Sequence, residues 1–309
     1  MPHGKRALVT GGAGFIGSHV TDALSASGYD VLVVDDLTGG TPDNVGDSTA
    51  LEVLDIRDLD ALVRVSKTFA PTVVCHLAAQ PSVTASVRDP RHDLTTNVLG
   101  TLNVLEAART VSAPTTFAST GGALYGDEAP IPTREDCPPR PLSPYGASKL
   151  CGEAYVATWS RLHRLPNVIL RLANVYGPRQ DAHGEAGVVA IFSKLLLQNA
   201  APTVFGDGTQ TRDYTHVHDT ADAFVRAAQA SSGGTFNVGT GIETSVLALL
   251  GHLQEAAGTT IEPRFAALRP GELPRSALDA SAIGGSLGWV AQMDAARGLA
   301  DTLRTYATR

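Results

Sequence analysis

The sequence is poor in cysteine and has no excess of basic residues. Only three cysteines occur among 309 residues, and the wide spacing of Cys75, Cys137 and Cys151 indicates neither a disulfide framework nor a zinc site. Lys and Arg total 24 against 31 for Asp and Glu, which gives a net charge of −7. Because nucleic acids and anionic membranes are bound by cationic surfaces, this balance argues against both as general partners.

The sequence also lacks a long hydrophobic run. No apolar stretch approaches the ~20 residues that a membrane-spanning helix needs. Residues 1–6 lead directly into a strand-like run, so we expect neither a signal peptide nor a membrane span. Hydrophobic residues nevertheless make up 43% of the chain and charged residues 18%, which is enough for a sizeable core. We expect a soluble cytoplasmic protein, long enough for about two domains.

Short β-branched runs alternate with helical patterns through the N-terminal half. Helices are predicted over 15–27, 58–69, about 92–110 and 145–163. The predicted strands are Ala7–Thr10, Val31–Val34, Leu51–Leu54, Thr72–Leu77, Thr115–Ser119 and Val168–Leu172. Strands and helices that alternate at this spacing form right-handed βαβ units on a parallel sheet. We therefore predict an α/β fold with a Rossmann-type, doubly wound parallel sheet.

The alternation becomes less regular after residue 178. The sequence predicts one helix over about 186–198 and short helices and loops over 243–309, whereas Tyr214–Ala228 and Thr235–Gly239 indicate a return to the sheet. No linker, repeat or low-complexity segment separates these parts. We therefore predict two interleaved domains, residues 1–177 with 212–242 and a smaller α/β domain of residues 178–211 with 243–309.

A glycine-rich turn follows the first predicted strand. Gly11, Gly14 and Gly17 have the spacing that permits a tight turn, close approach of the backbone to a pyrophosphate, and close packing of a helix on the sheet. The N-terminus of that helix offers free N–H groups to the anion. Asp35 ends the second strand, where a carboxylate binds both hydroxyls of an adenosine ribose and repels a 2′-phosphate. The pattern favours NAD over NADP, and the alternative of Asp35 as a helix cap is disfavoured by its position.

Two further strand ends carry candidate cofactor contacts. Asp55 follows the third strand, where it could accept a hydrogen bond from the adenine amino group; the alternative is an N-cap for the next helix. Leu77, Ala78 and Ala79 end the fourth strand with small side chains after Leu77, as a strand beneath a cofactor requires.

Tyr145 and Lys149 form a candidate catalytic pair at the start of a predicted helix. Their i, i+4 spacing places both side chains on one helix face. A cation beside a phenol favours the phenolate, so we expect Lys149 to lower the pKa of Tyr145 from about 10 toward the working range. Tyr145 could then act as a general base or acid, while Lys149 could also bind the nicotinamide ribose. Alone, such a pair is most often a solvated face; after a dinucleotide loop, we interpret it as catalytic.

These elements together resemble the extended short-chain dehydrogenase/reductase family, over nearly the whole chain. The motifs that carry the resemblance are the Gly11–Gly17 turn, Asp35, His76–Ala79, Asn97, the Tyr145 and Lys149 pair, and Asn174–Pro178. Within the family, the chain is most similar to the bacterial UDP-glucose 4-epimerases, through Ser119–Gly126, Gly184–Phe192 and Asp207–Tyr214. The resemblance implies NAD as cofactor, a UDP-sugar substrate and a homodimer.

The resemblance assigns NAD to the first domain. The residues implied to contact NAD are Gly11, Gly14, Phe15, Ile16, Gly17, Asp35, Asp36, Leu37, Thr38, Gly40, Asp55, Ile56, Leu77, Ala78, Ala79, Gln80, Asn97, Ser119, Tyr145 and Lys149.

The resemblance assigns the nucleotide sugar to the second domain and its border. The residues implied to bind substrate are Thr120, Gly121, Asn174, Val188, Val189, Thr203, Phe205, Arg212, Arg269 and Glu272. Asn174, Arg212 and Arg269 match residues that contact the diphosphate, and two arginines from separate segments can clamp a diphosphate on a net acidic protein. Glu272 matches an acid that binds the uridine ribose, and Thr203 and Phe205 match the lining of the uracil. Surface ion pairs are the alternative for the two arginines.

One position departs from the family pattern. Many members have Ser or Thr four residues before the Tyr of the Tyr-Gly pair, where the hydroxyl binds the 4-hydroxyl of the sugar. Gly121 stands there in this chain, so we transfer the role to Thr120, with Ser119, a backbone group or water as alternatives.

Three further positions bear on the substrate and on metals. Ser276 lies where some members have a bulky aromatic residue, and a small residue leaves room for an N-acetyl group. Arg179 could bind a phosphate or a uronic-acid carboxylate. His216 and His218 would share one face of a strand, but no further ligand cluster is evident and we predict no metal.

The sequence therefore predicts a UDP-hexose 4-epimerase, in which Tyr145 removes the proton of the 4-hydroxyl while the sugar C4 gives hydride to NAD. The alternatives are a UDP-uronic acid 4-epimerase or related enzyme, and a non-catalytic NAD sensor, which would typically lose the Tyr145 and Lys149 pair. A 4,6-dehydratase is disfavoured because those enzymes carry Asp-Glu where this chain has Gly121 and Gly122.

Overall fold

The computed structural model describes residues 4–181, 187–268 and 273–308. Its strands are β1 (Arg6–Thr10), β2 (Asp30–Asp35), β3 (Ala50–Val53), β4 (Val73–His76), β5 (Thr115–Thr120), β6 (Val168–Leu172), β7 (Asn174–Tyr176), β8 (Thr203–Phe205), β9 (Thr211–Arg212), β10 (Tyr214–His216), β11 (Gly234–Val238), β12 (Thr244–Ser245) and β13 (Arg264–Ala266). Seven of them form one parallel sheet in the order β11-β6-β5-β4-β1-β2-β3, which confirms the predicted doubly wound sheet.

Helices cover both faces of this sheet. They are α1 (Phe15–Ala26), α2 (Leu59–Phe69), α3 (Val83–Arg88), α4 (Pro90–Leu94), α5 (Gly100–Arg109), α6 (Pro144–His163), α7 (Val188–Leu197), α8 (Val217–Ala228), α9 (Val246–Ala257), α10 (Ser281–Leu287) and α11 (Ala295–Ala307). A 3₁₀ turn spans Pro42–Asn44, and a π-helical turn spans Thr95–Leu99 between α4 and α5. In the part of the chain that the structure describes, no helix is both long and apolar enough to cross a bilayer.

The central strands β1, β4 and β6 consist mainly of apolar residues because both faces of the sheet are buried there. Ala7 and Val9 of β1 pack with α1 and α8 on one face, whereas Leu8 packs with α2 and α5 on the other. Cys75 of β4 lies wholly inside the first of these layers, and burial raises the pKa of its thiol to about 12. Its role is therefore in packing.

A second hydrophobic cluster lies around α7, α9 and α11. It contains Phe192, Leu249 and Leu299, and it also takes in Tyr176 and Tyr214 from the first predicted domain. Three two-stranded sheets accompany the main sheet, β7 with β10, β9 with β12, and β8 with β13. The exact boundaries of the two domains stay a prediction.

One predicted element differs from the structure. Only Tyr214–His216 of the stretch 214–228 is a strand, and it pairs with β7 rather than with the main sheet. His216 is the N-cap of α8, because its ring nitrogen accepts a hydrogen bond from the His218 N–H at 3.3 Å and the chain turns helical there. Gly234–Val238 does join the main sheet, as predicted, as its edge strand beside β6.

Candidate active site

The glycine turn after β1 leaves no room for side chains. Gly11 has φ +73°, and a Cβ there would lie 2.6 Å from the Ala78 nitrogen at the end of β4. A Cβ on Gly17 would lie 2.0 Å from the Gly11 carbonyl oxygen. The backbone of the turn therefore lies in direct contact with the backbone of α1. Because the glycines have no side chains, the surface of the turn stays open to a ligand.

The N-terminus of α1 has the character of an anion site. Gly14 is its N-cap and provides no side-chain acceptor, and the first turn, which contains Phe15 and Ile16, has no acidic residue. The N–H groups of this turn therefore keep their capacity to bind an anion, and the helix dipole adds a favourable positive potential. These features fit the pyrophosphate of a dinucleotide.

Asp35 fastens the loop after β2 to the glycine turn. Its carboxylate accepts hydrogen bonds from the Ala13 N–H at 3.0 Å and the Leu37 N–H at 2.9 Å. Leu37 has φ +61°, and a Cβ on Gly40 would meet the Ala13 carbonyl carbon at 2.8 Å. Asp35 ends a strand and caps no helix, and its carboxylate oxygens can accept further bonds from a ribose.

The neighbouring loop residues are more exposed. Asp36 accepts hydrogen bonds from the Thr38 N–H at 3.0 Å and the Thr38 hydroxyl at 2.6 Å. This turn therefore places Asp36 and Thr38 on the surface beside the Asp35 carboxylate.

Asp55 is not a helix cap. The N-cap of α2 is Asp58, which accepts from the Ala61 N–H at 2.9 Å, so the cap alternative for Asp55 is wrong. Asp55 instead binds the Arg57 guanidinium through both oxygens, and these hydrogen bonds lower the pKa of its carboxyl. Ile56 beside it is buried in the core.

The end of β4 is held by neutral hydrogen bonds. His76 is buried, with Nδ1 2.7 Å from the Thr10 hydroxyl and Nε2 3.0 Å from the Thr101 hydroxyl. Burial, with the nearby Lys149 charge, lowers the pKa of His76 to about 3, so its ring is neutral at physiological pH. Leu77, Ala78 and Ala79 follow directly and are partly exposed.

The candidate pair opens α6. Ser143 caps the helix by accepting from the Gly146 N–H at 3.1 Å, and Pro144 occupies the first turn. The Tyr145 phenol lies beside the Thr120 side chain at the end of β5. The Lys149 ammonium donates to the Ala118 carbonyl oxygen at 3.0 Å and lies over the Phe117 ring. The structure thus brings Tyr145, Lys149 and Thr120 together.

The pKa of Tyr145 differs from the prediction. Burial raises it to about 12, although the neighbouring Thr120 side chain acts in the opposite direction. The expected lowering by Lys149 is absent because the ammonium is directed to the Ala118 carbonyl rather than to the phenol. Burial likewise lowers the pKa of Lys149 to about 8. An additional positive charge near the phenol is needed to bring Tyr145 into the neutral range.

The departure at Gly121 has a packing explanation. A Cβ on Gly121 would lie 2.4 Å from a methyl carbon of Leu278, so the space of a Ser or Thr side chain is filled by the C-terminal segment. The hydroxyl that faces Tyr145 is that of Thr120, and its role toward the sugar stays a prediction. Ser119 points elsewhere and donates to Glu153 at 2.5 Å.

Sequence reasoning missed a buried ionic network behind the pair. Glu153 of α6 and Arg171 of β6 form a bidentate ion pair at 2.7–3.2 Å, and both side chains are almost fully buried. Arg171 also donates to the Tyr125 hydroxyl at 2.8 Å, and this hydroxyl donates to Asn237 at 2.9 Å. The signal was present as a single Arg in the otherwise apolar strand Val168–Leu172.

A second missed group, Asp93, lies on the other side of α6. The Asp93 carboxylate accepts from the Gln80 side chain at 2.9 Å and from the Asn97 side chain at 3.0 Å. Asn97 in turn accepts from the Gln80 N–H at 2.8 Å and donates to the Ser148 hydroxyl at 3.1 Å. Gln80 and Asn97 were predicted from the sequence, whereas the anion that joins them was not.

The predicted substrate residues lie on several short elements. Asn174 begins β7, and its N–H donates to the Asp213 carbonyl oxygen at 2.9 Å, next to Arg212 on β9. Arg212 is partly buried and donates to the Thr211 carbonyl oxygen at 2.8 Å. A Cβ on Gly122 would lie 3.4 Å from the Asn174 side-chain oxygen, so Asn174 adjoins the turn after β5.

The remaining substrate residues fall into two groups. Val188 and Val189 begin α7, and Thr203 and Phe205 form β8, which packs in the same hydrophobic cluster as Val189 through Val204. Arg269 and Glu272 lie outside the residues that the structure describes.

Arg179 and the histidines have structural partners. Arg179 forms an ion pair with Asp22 of α1 at 2.8 Å, which weakens its interpretation as a ligand for a uronic-acid carboxylate. His218 lies in α8 rather than on a strand, and its ring contacts those of His216 and His19 at centroid distances of 4.8 and 5.2 Å. Among the described residues, no group of side chains has the arrangement of a metal site.

The chain is similar to known epimerases along nearly its whole length. The profile of the NAD dependent epimerase/dehydratase family matches residues 7–239. The UDP-glucose 4-epimerase of Mycolicibacterium smegmatis is 46% identical over 311 residues, which cover 98% of this chain and 99% of that protein.

Solved structures give the same result. The UDP-glucose 4-epimerase of Thermotoga maritima, solved with UDP-glucose, has a TM-score of 0.96 at 41% identity, over 98% of this chain and 99% of that one. The UDP-glucose 4-epimerase of Thermus thermophilus, solved with NAD, has a TM-score of 0.91 at 43% identity, over 97% and 98% of the two chains.

Proposed function

Because the chain belongs to the NAD-dependent epimerase/dehydratase family, we propose that it is a UDP-hexose 4-epimerase that interconverts UDP-galactose and UDP-glucose with NAD as cofactor. The observation that carries the proposal is that the Tyr145 phenol lies beside the Thr120 side chain, at the start of the helix that also holds Lys149. This arrangement has the general base, its partner hydroxyl and a cation in one place.

NAD, when bound, supplies a reversible acceptor for the hydride of the sugar C4 and a positive charge near Tyr145. The residues of the chain handle the proton. The Tyr145 phenolate removes the proton of the 4-hydroxyl, and Thr120 holds the phenol and the sugar hydroxyl in line. Protonated Tyr145 then returns the proton to the oxygen of the 4-keto sugar after the sugar has presented its other face. Proton and hydride are both returned, so the sugar is epimerised without net oxidation.

The geometry of the first domain supports the proposed cofactor residues. Backbone N–H groups of the Gly14–Gly17 turn would hold the pyrophosphate, and Asp35 would hold the adenosine ribose. Asp55 would accept from the adenine amino group while it keeps Arg57. Lys149 would donate to the nicotinamide ribose.

The uridine diphosphate would be held by the second domain and its border. Asn174 and Arg212 lie on adjacent segments beside the turn that contains Thr120, which suits the diphosphate. Thr203 and Phe205 would line the uracil, and Arg269 and Glu272 would complete the site. A pocket that holds the nucleotide firmly and the hexose loosely allows the 4-keto sugar to turn.

N-acetylhexosamines are second candidate substrates. Ser276 is a small, partly exposed residue two positions before Leu278, which packs on Gly121. A small side chain this close to the catalytic turn leaves space for an acetamido group.

The protein would act as a cytoplasmic homodimer. Large apolar side chains are exposed along α3, α4, the π-helical turn and α6, among them Val87 and Leu162 at 63% and 66% exposure. Leu94, Leu99 and Tyr155 lie on the same group of helices and are also exposed. A second copy of the chain that covers these helices would bury this apolar surface.

The test is incubation of the purified protein, without added reductant, with UDP-galactose, UDP-N-acetylgalactosamine and UDP-galacturonate separately, with products identified by proton NMR. The proposal predicts conversion of UDP-galactose to its 4-epimer with no net change in NADH. Absence of conversion of all three sugars in a preparation that contains NAD would contradict it.

The matched variant is Tyr145→Phe, which keeps the ring and removes the proton-transferring oxygen. We expect turnover to fall by about 10²–10⁴-fold while NAD binding is kept. A variant that turns over at the wild-type rate would exclude Tyr145 as the general base.

A further inference from the structure

Asp93 is an anion buried close to the catalytic helix. It is 1% exposed at the C-terminal part of the short helix α4, and both of its bonded partners are side-chain amides, those of Gln80 and Asn97. An ionised carboxylate is costly in such a place unless it is hydrogen-bonded and offset by a cation. The two amides supply the hydrogen bonds, and the cation has to come from elsewhere.

A continuous chain of contacts joins Asp93 to α6. Asn97 donates to Asp93 and to the Ser148 hydroxyl, and Ser148 donates to the Tyr145 carbonyl oxygen at 2.9 Å. Ser148 lies in the single turn between Tyr145 and Lys149. Asp93 thus faces the turn that carries both members of the candidate pair.

The buried cation on the helix that Asp93 faces is Lys149. Lys149 is 4% exposed, and its ammonium donates to a neutral carbonyl oxygen. The other buried acid near it, Glu153, is occupied by Arg171 through three hydrogen bonds and by the Ser119 hydroxyl. Asp93 therefore balances a charge that the Glu153–Arg171 pair leaves uncompensated.

The other ionisable groups on elements packed against α6 do not take this role. His76 of β4 is neutral. Glu106 and Arg109 of α5 pair with each other at the surface. Arg88 of α3 and both Arg91 and His92 of α4 are exposed. Within the described part of the chain, the electrostatic surroundings of Lys149 are thus Asp93 from α4, Glu153 from its own helix, and Arg171 behind Glu153.

We propose that Asp93 is a positioning residue of the reaction, a buried counter-charge that keeps Lys149 cationic and the first turn of α6 in place. The direction of its influence agrees with this role, because burial lowers the pKa of Lys149 to about 8 and the Asp93 charge acts against that lowering. The same charge raises the pKa of Tyr145, so the arrangement favours a cationic Lys149 at some cost to the phenolate.

The protonation of Lys149 can be measured directly because the chain has few lysines. The chain contains four lysines, Lys5, Lys67, Lys149 and Lys194, so lysine labelled with ¹³C at Cε gives four NMR signals whose shifts follow protonation. A Lys149→Met variant assigns the Lys149 signal. Its titration reports the charge of Lys149 whether or not the protein has the proposed activity.

The variant is Asp93→Asn, which keeps an oxygen acceptor for Gln80 and Asn97 but removes the charge. The control is Asp89→Asn at the exposed N-cap of the same helix, where Asn caps as well as Asp. We expect the pKa of Lys149, about 8 in the wild type, to fall by about one unit in Asp93→Asn and to stay unchanged in Asp89→Asn. The other three lysines should titrate identically in all proteins.

An unchanged or raised pKa of Lys149 in folded Asp93→Asn would overturn the proposal and leave Asp93 with a purely structural role. If Asp93→Asn does not fold, the pair Asp93→Glu and Asp93→Gln, equal in size and different in charge, gives the same comparison. There, the proposal requires a lower Lys149 pKa in the Gln variant than in the Glu variant, and equal values would overturn it.

A kinetic measurement extends the test and rests on the proposed epimerase function. If the pKa of Lys149 falls from about 8 to about 7, its cationic fraction at pH 8 falls from about one half to about one tenth, and kcat should fall about fivefold. At pH 6 the kcat values of the wild type and Asp93→Asn should differ by less than about twofold. The KM for the UDP-sugar should be unchanged because Asp93 does not touch the substrate site. A fivefold loss that is the same at pH 6 and pH 8 would contradict the charge mechanism. Absence of activity in the wild type as well would instead count against the proposed function.

Discussion

Two consecutive turns of α6 each carry a buried charged side chain, and the partners of the two charges differ. Glu153 in the later turn is closed into a bidentate pair with Arg171, and Ser119 and Tyr125 complete the hydrogen bonding. Lys149, one turn earlier, has a carbonyl oxygen and an aromatic ring as neighbours and no carboxylate in direct contact among the described residues. The later turn therefore contains a closed ion pair, whereas the earlier turn contains an ammonium group without a carboxylate in direct contact among the described residues.

The difference is visible in the pKa values. Burial lowers the pKa of the Arg171 guanidinium, but its bonds to Glu153 outweigh this and raise it, so the pair remains ionised. For Lys149, burial prevails and the pKa falls to about 8. A charge that is fully paired is stable and inert, and one that is incompletely paired can respond to a ligand.

Glu153→Gln should have the largest effect on stability. It leaves the Arg171 cation buried without its anion, which costs about 3–5 kcal/mol of unfolding free energy. Urea denaturation followed by circular dichroism measures the loss. The double variant Glu153→Met, Arg171→Met removes both charges and should recover most of it, and a double variant as unstable as the single one would show that the pair is not closed as described.

Lys149→Met should change stability in the opposite direction. The pKa of Lys149 is about 8 in the folded protein against 10.5 for the free side chain, a difference of about 3 kcal/mol against the folded state at neutral pH. With about 1 kcal/mol lost from the bond to Ala118, we expect a net gain of about 2 kcal/mol, together with loss of turnover.

The pH dependence identifies the cause of this gain. In the unfolded chain Lys149 keeps its proton up to pH 10.5, whereas in the folded protein it releases the proton above about pH 8. The unfolding free energy of the wild type therefore rises toward that of Lys149→Met as the pH rises from about 8 to 10.5. The difference in unfolding free energy between the two proteins, measured by urea denaturation, should therefore be smaller at pH 10 than at pH 7. A constant difference would show that the gain comes from packing.

Thr120→Val should have the smallest effect. It replaces the hydroxyl beside Tyr145 with a methyl group of similar size, and we expect kcat to fall about tenfold with little change in KM for the UDP-sugar or in stability. Thr120→Ser keeps the hydroxyl and should retain most of the activity. Equal losses in the Val and Ser variants would move the role to Ser119, a backbone group or water.

The sheet and the cofactor loop could be predicted because their signals are local. Strand runs such as Val31–Val34 are apolar over their full length, and Gly11 is required by a positive φ and by the approach of Ala78. The i, i+4 spacing of Tyr145 and Lys149 likewise fixes their common face. Each of these features depends on a short stretch of chain.

The contacts that cross between segments were the ones missed. Glu153 and Arg171 are 18 residues apart, so no spacing rule shows their pair. Asp93 and Asn97 have i, i+4 spacing, but the contact of Asn97 with Ser148 crosses to another helix and is not shown by spacing either. The pKa of Tyr145 was predicted in the wrong direction because the i, i+4 rule places Lys149 nearby but does not show that its ammonium binds Ala118. Burial and the third partner are tertiary properties.

The contact between Leu278 and Gly121 has a consequence for how the protein is made. Synthesis on the ribosome proceeds from the N-terminus, and the strands of the nucleotide-binding sheet can begin to assemble in that order. The turn at Gly121, however, is covered by the side chain of Leu278, which is added 157 positions later. The Leu278 N–H also donates a hydrogen bond to the Asp213 carboxylate at 3.2 Å. The nascent chain therefore carries Tyr145 and the glycine turn well before Leu278 can pack on Gly121, and the surroundings of Gly121 are complete only after residue 278 has been translated.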